Sequence, residues 1–94
     1  MSIQNFRHKG LKRVFEANET RGVPASLAGK LRDLLAAVDA ATNVEDVGLF
    51  PGWQLHQLKG DLAGFWSLTV SGNWRIIFRC EDGEAFDLDL VDYH

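Results

Sequence analysis

The hydrophobic pattern of this chain changes period once, at Pro51-Gly52, and that change limits the folds open to it. Before the break, apolar residues recur at helical spacing. Leu11, Val14 and Phe15 form one set in "HKGLKRVFEANE"; Leu27, Leu31, Leu34, Leu35 and Val38 form a second. Residues three and four apart share a helix face, so each set predicts an amphipathic helix with its charged residues outside. "TRGVP" separates the two, and Pro24 suits the first turn of the second helix. "NVEDVGLFPGW" then reads as one helical turn followed by a loop.

After the break the period is two. Strands are expected at about Gln54–Leu58, Phe65–Val70, Trp74–Cys80 and Ala85–Val91, with a short extended start around Ile3–Phe6. "SGN" and "EDG" are tight turns, so the last three strands should form an antiparallel meander. Trp66, Leu68 and Val70 share one face, as do Trp74, Ile76, Phe78 and Cys80, and Phe86, Leu88 and Leu90. Those faces are expected to meet the helices. Two helices followed by a mainly antiparallel sheet imply a compact two-layer α+β fold, in one domain over residues 1–94.

A chain of 94 residues buries about 60–65% of its unfolded surface, enough to fold alone with a modest margin. Cys80 is the one cysteine, so no internal disulfide can form and a reducing cytoplasm is the expected compartment. No apolar run approaches the roughly 20 residues of a membrane span. "MSIQNFRHKG" lacks the apolar core of a secretory signal.

The net charge of −3 hides an asymmetry. Residues 1–32 carry seven basic groups against two acidic ones, a balance of +5, whereas residues 33–94 carry three against eleven, a balance of −8. Lys9, Lys12 and Arg13 head the basic half and could meet a polyanion; a solvated helix face accounts for them equally well.

Chemistry-bearing residues gather in the second half. Arg75 and Arg79 alternate with the apolar set and should stand on the sheet face away from the helices. An Arg there is usually a solubility device, but Arg75 follows a turn and carries a fork suited to phosphate. "LHQLKG" adds His56 and Lys59, and the chain closes on Asp92, Tyr93 and His94. A His near its ordinary pKa of about 6.5 can take or give a proton at neutral pH. The three His and one Cys show no metal-ligand spacing, and no phosphate-binding glycine loop or covalent nucleophile stands out, so no metal or cofactor is implied. The set His56, Lys59, Arg75, Asp92, Tyr93 and His94 fits metal-free RNA cleavage: a base for the ribose 2′-hydroxyl, cations for the phosphorane, an acid for the leaving 5′ oxygen. Alternation does not join these residues. It places Asp92 and His94 in the parity of Phe86, Leu88 and Leu90, opposite Arg75, and gives His56 and Lys59 opposite parity.

Five blocks carry a family likeness: "FRHKGLKRVFE", "RGVP", "LHQLKGD", "GFWSLTVSGNWRIIF" and the terminal "VDYH". In that order they resemble the HigB toxins of bacterial toxin–antitoxin systems, within the RelE/ParE superfamily. Gln57 stands where that family usually has proline. The resemblance implies a RelE-like fold and a ribosome-dependent mRNA endonuclease. It also implies a HigA-type antitoxin with a helix-turn-helix, whose complex with the toxin binds operator DNA. It assigns the catalytic surface to His56, Lys59, Arg75, Asp92, Tyr93 and His94; the basic residues Lys9, Lys12, Arg13 and Arg79 are added as candidate RNA contacts on their charge. A competing expectation is a ParE-like toxin on the same fold that inhibits a protein such as DNA gyrase. His56 and His94 favour the nuclease, because an inhibitor has no need of proton-transfer groups.

Overall fold

The computed structural model describes residues 1–92 of the 94-residue chain. The elements run β1 (Ser2–Ile3), α1 (Lys9–Ala17), α2 (Ala28–Ala40), α3 (Val44–Val47), β2 (His56–Gln57), β3 (Phe65–Ser71), β4 (Trp74–Glu81) and β5 (Glu84–Asp92). Two 3-10 turns, Ala25–Leu27 and Gly60–Leu62, precede α2 and β3. Pro24 therefore introduces a 3-10 turn instead of opening α2 directly.

Both long helices follow their apolar stripes. α1 starts at His8, whose Nδ1 accepts a hydrogen bond from the Leu11 amide at 3.1 Å, satisfying one orphan donor of the first turn. It ends at Asn18 in the left-handed region, which asparagine tolerates. Leu11 and Val14 are buried, but Phe15 lies at the edge of the stripe, 36% exposed, with its ring against Phe6. The whole predicted stripe is buried, Leu27 at the end of the 3-10 turn and Leu31, Leu34, Leu35 and Val38 in α2. Each such side chain contributes about 1.5–3 kcal/mol of transfer free energy. One core cluster joins these residues to Leu68, Val70, Ile76, Phe78, Ala85, Leu88 and Leu90 of the sheet.

The sheet has the order β1-β5-β4-β3-β2. β3, β4 and β5 form the expected antiparallel meander, and β2 pairs antiparallel with β3 at one edge. The β4–β5 turn is Asp82-Gly83 with φ of 51° and 76°, the positive pair that suits a twisted two-residue hairpin. β1 pairs in parallel with β5, Ser2 opposite Glu84 and Ile3 opposite Ala85, and a further bridge joins Phe6 to Leu88.

One irregularity overturns a sequence expectation. Ile77 pairs with Asp89 but Arg79 pairs with Phe86, so β5 carries an extra residue opposite Phe78. The extra residue is Asp87, with φ of 56°. Such a bulge flips side-chain parity. Ala85 takes the core position, and Phe86 turns to the other face beside Arg79 instead of joining Leu88 and Leu90. Asn5 holds the bulge from the N-terminal segment: its Nδ2 donates to Asp87 Oδ1 at 2.7 Å and its Oδ1 accepts from the Asp87 amide at 3.0 Å.

Candidate active site

Cross-strand partners point to the same face of a sheet, so the register shows which site residues meet. His56 pairs with Ser67, Ser67 with Ile77, and Ile77 with Asp89. One step along, Thr69 pairs with Arg75, and Arg75 with Val91. Both rows lie on the face turned away from the helical core. His56 and Arg75 are therefore on one face, two strand spacings or about 10 Å apart across the sheet. Alternation along the single chain could not show this, because the 54–58 and 74–80 runs are joined only through pairing.

The segment around His56 is less regular than its sequence. β2 is two residues long instead of five, and Gln54 ahead of it takes a left-handed φ of 49°. A non-glycine residue held there costs on the order of 1–3 kcal/mol unless its surroundings impose it. They do so here. The Thr69 amide donates to the Trp53 carbonyl at 2.7 Å, and the Thr69 hydroxyl donates to the Gln54 side-chain oxygen at 3.2 Å. The Gln54 carbonyl in turn lies 3.0 Å from Nδ1 of His56.

Lys59 lies beyond the strand, at the start of the Gly60–Leu62 turn, so the parity rule that separated it from His56 does not apply. The two residues line one cleft of about 370 Å³ with Gln57, Leu58 and Leu62. Leu58 fixes the path by donating its amide to the Phe65 carbonyl at 2.9 Å.

Arg75 is anchored at the β3–β4 turn, where its Nη1 donates to the carbonyls of Gly72 at 2.7 Å and Trp74 at 2.9 Å. Asp92 pairs with Trp74, in the opposite parity to Arg75 as expected, and is exposed at the end of β5. The side chain of Asn73 donates to its carboxylate. The same sheet end thus carries Arg75 on one face and Asp92 on the other. The irregularity of β5 lies at Asp87, upstream of Leu90. Tyr93 and His94 lie outside the described residues.

The candidate RNA contacts divide. Lys9, Lys12 and Arg13 are exposed on α1 and line a shallow cleft of about 330 Å³ with Glu16 and Ala17; no ion pair among the described residues uses them. Arg79 is engaged by acids. Its Nε donates to Asp87 at 2.8 Å and its Nη1 to Glu81 at 2.7 Å, and the guanidinium lies 5.4 Å from the Phe86 ring centre. The bond to Asp87 raises the Arg79 pKa further above its ordinary value. The Asp87 carboxyl is lowered by its bonds from Asn5 and Arg79, with Arg7 adding a weaker attraction at 3.8 Å.

The family described as "RelE-like toxin of type II toxin-antitoxin system HigB" matches residues 4–94. The chain belongs to the HigB family of RelE-like toxins. Among curated HigB relatives it is 46% identical to "Endoribonuclease HigB" of Proteus vulgaris over 92 residues, covering 98% of this chain and 99% of that one. It is 33% identical to "Toxin HigB-1" of Vibrio cholerae over 86 residues, covering 90% of each. The fold resembles a YoeB dimer structure from Staphylococcus aureus with a TM-score of 0.59 and 16% identity, over 99% of this chain and 93% of that one. It also resembles a YoeB/ParE toxin from Agrobacterium tumefaciens with a TM-score of 0.56 and 19% identity, over 100% and 99%. A toxin of a type II system has an antitoxin partner. Among the described residues no helix is long and apolar enough to cross a membrane.

Three residues that bond to the candidate site residues or to one another beside them escaped the sequence reading: Gln54, Thr69 and Asn73. Thr69 has the parity of Arg75, and Gln54 that of His56, which is a faint signal. Nothing in the residue type marks the left-handed backbone at Gln54.

Proposed function

We propose that this chain is a ribosome-dependent endoribonuclease that cuts translated mRNA in the A site, in the cytoplasm. The observation that carries the reading is the placement of His56 and Arg75 on one face of the sheet, with Lys59 in the cleft beside His56. The identity with an endoribonuclease over nearly the whole chain supports it.

The reaction is an internal displacement. A base takes the proton of a ribose 2′-hydroxyl, and O2′ attacks the adjacent phosphorus. The bond from phosphorus to O5′ breaks, and an acid protonates the departing oxygen. The products are a 2′,3′-cyclic phosphate and a 5′-hydroxyl end, so no water or metal ion need enter the balance. Lys59 and Arg75 hold the phosphate and offset the charge that grows on its oxygens. The base and the acid lie among His56, Asp92 and His94, of which Asp92 stands on the sheet face opposite Arg75; Tyr93 stacks on a base or orients a neighbour. His56 and Lys59 are exposed, so ribosomal RNA that holds the message in line would raise the rate by positioning. Lys9, Lys12 and Arg13 supply the basic face for that RNA. A HigA-type antitoxin with a helix-turn-helix neutralises the toxin, and operator DNA is met only through the complex.

The test is a translated message with one 2′-deoxynucleotide at the cut site. Cleavage at that position should stop, and the unmodified message should end in a 2′,3′-cyclic phosphate. Cutting that survives the deoxy substitution would overturn the displacement.

A further inference from the structure

Among the described residues, four that are not glycine have positive φ: Asn18, Gln54, Asp82 and Asp87. Asn and Asp enter the left-handed region readily; Gln does not. Gln54 is thus the exception, and its distortion has one visible consequence. It directs the Gln54 carbonyl onto Nδ1 of His56 at 3.0 Å. A carbonyl only accepts, so this contact places the proton on Nδ1 and leaves the lone pair on Nε2.

Thr69 holds the arrangement from two directions. Its amide binds the Trp53 carbonyl at 2.7 Å and its hydroxyl binds the Gln54 side chain at 3.2 Å, while its cross-strand partner is Arg75. One residue of β3 therefore links the loop that orients the imidazole to the strand that carries the cation.

We propose that Gln54 and Thr69 are positioning residues, and that Nε2 of His56 is the nitrogen that exchanges a proton with the RNA. This rests on the endoribonuclease reading of the site. When Nε2 takes the 2′-hydroxyl proton, the ring becomes cationic and its Nδ1–H bond to the Gln54 carbonyl becomes charge-assisted, which holds the ring in line. The strained backbone at Gln54 is what keeps the carbonyl in line throughout.

The experiment pairs the imidazole nitrogen chemical shifts of His56 with cleavage of a translated message. In the wild-type protein near neutral pH, the neutral ring should carry its proton on Nδ1. Thr69→Val keeps the backbone amide and the shape but removes the hydroxyl. It should return His56 to a mixture of tautomers and lower kcat about tenfold or more, part of the 10²–10⁴ that a proton-transfer group contributes, with KM unchanged. Thr69→Ser should restore both readouts. Gln54→Gly, at an exposed position where glycine accepts the backbone without strain, should cost as much as Thr69→Val, and the double variant should cost no more than either. A wild-type His56 protonated on Nε2 alone would overturn the proposal without touching the cleavage activity. So would full kcat in Thr69→Val or Gln54→Gly. Wild-type cutting by His56→Ala would instead remove His56 from the reaction and take this proposal with it.

Discussion

His56 and Arg75 face the same side of the sheet because both register with β3, His56 with Ser67 and Arg75 with Thr69. Two residues on one strand of the sheet thus set the separation of the proton-transfer group and the cation. Small changes in β3 should reach both.

Arg75→Ala should lower cleavage and toxicity by about 10²–10³, the usual cost of removing a donor aimed at developing charge. Arg75→Lys should recover only part, because an ammonium keeps the charge but not the planar fork that also binds the carbonyls of Gly72 and Trp74. Rate measurements on translated message, with circular dichroism as the folding control, check this. Equal activity in Arg75→Ala would remove Arg75 from the site.

Asp87 should give the fold a defined acid limb. Its folded pKa is lowered by Asn5 and Arg79, so its contribution is full above the unfolded aspartate value of about 3.9 and is lost as pH falls through the lowered folded value. Asp87→Asn tolerates the positive φ and removes the charge together with one of the two oxygens that accept from Asn5 and Arg79. It should lower stability at neutral pH by an amount that solvent screening keeps small, and the loss should fade as pH drops below 4. Thermal melts across pH 2–7 test this; a loss that stays constant with pH would assign it to shape and not charge.

Much of this arrangement was legible in the residues. The stripe from Leu27 to Val38 is wholly buried, and Asp82-Gly83 makes the hairpin turn that its residues announce. Those features are local and periodic. The bulge at Asp87 was not legible, because an aspartate in the left-handed region looks like any polar residue of an alternating strand. Nor was the shared face of His56 and Arg75, which depends on pairing between distant segments. The parallel pairing of β1 with β5 belongs to the same class. For Asp92, alternation was right about the face; for Lys59 it failed because the strand ends at Gln57.

Gly10→Ala should destabilise the fold although alanine is the better helix former. A Cβ at Gly10 would stand 2.2 Å from the Gly22 carbonyl oxygen, so α1 and the loop before Val23 must separate. The expected net loss is about 1–3 kcal/mol, typical of overpacking, against the gain of up to about 1 kcal/mol in helix propensity. Chemical denaturation decides it, and a more stable variant would mean that the loop yields freely.

Charge reversal at Lys9, Lys12 and Arg13 should weaken ribosome association and flatten its salt dependence, since each lost phosphate contact lowers the salt slope by about 1. The exposed basic face of α1 motivates this. Sedimentation with ribosomes at several salt concentrations is the measurement. Unchanged association would make these residues a solvated helix face.

We propose that this chain cuts translated mRNA with the residues on the outer sheet face. Mapping mRNA 5′ ends in cells after induction tests it most directly, with wild type beside folded His56→Ala and Arg75→Ala. New ends should appear within reading frames for the wild type and be lost in both variants. Intact mRNA with growth arrest and collapsed DNA supercoiling would contradict it, and so would undiminished cutting by both variants.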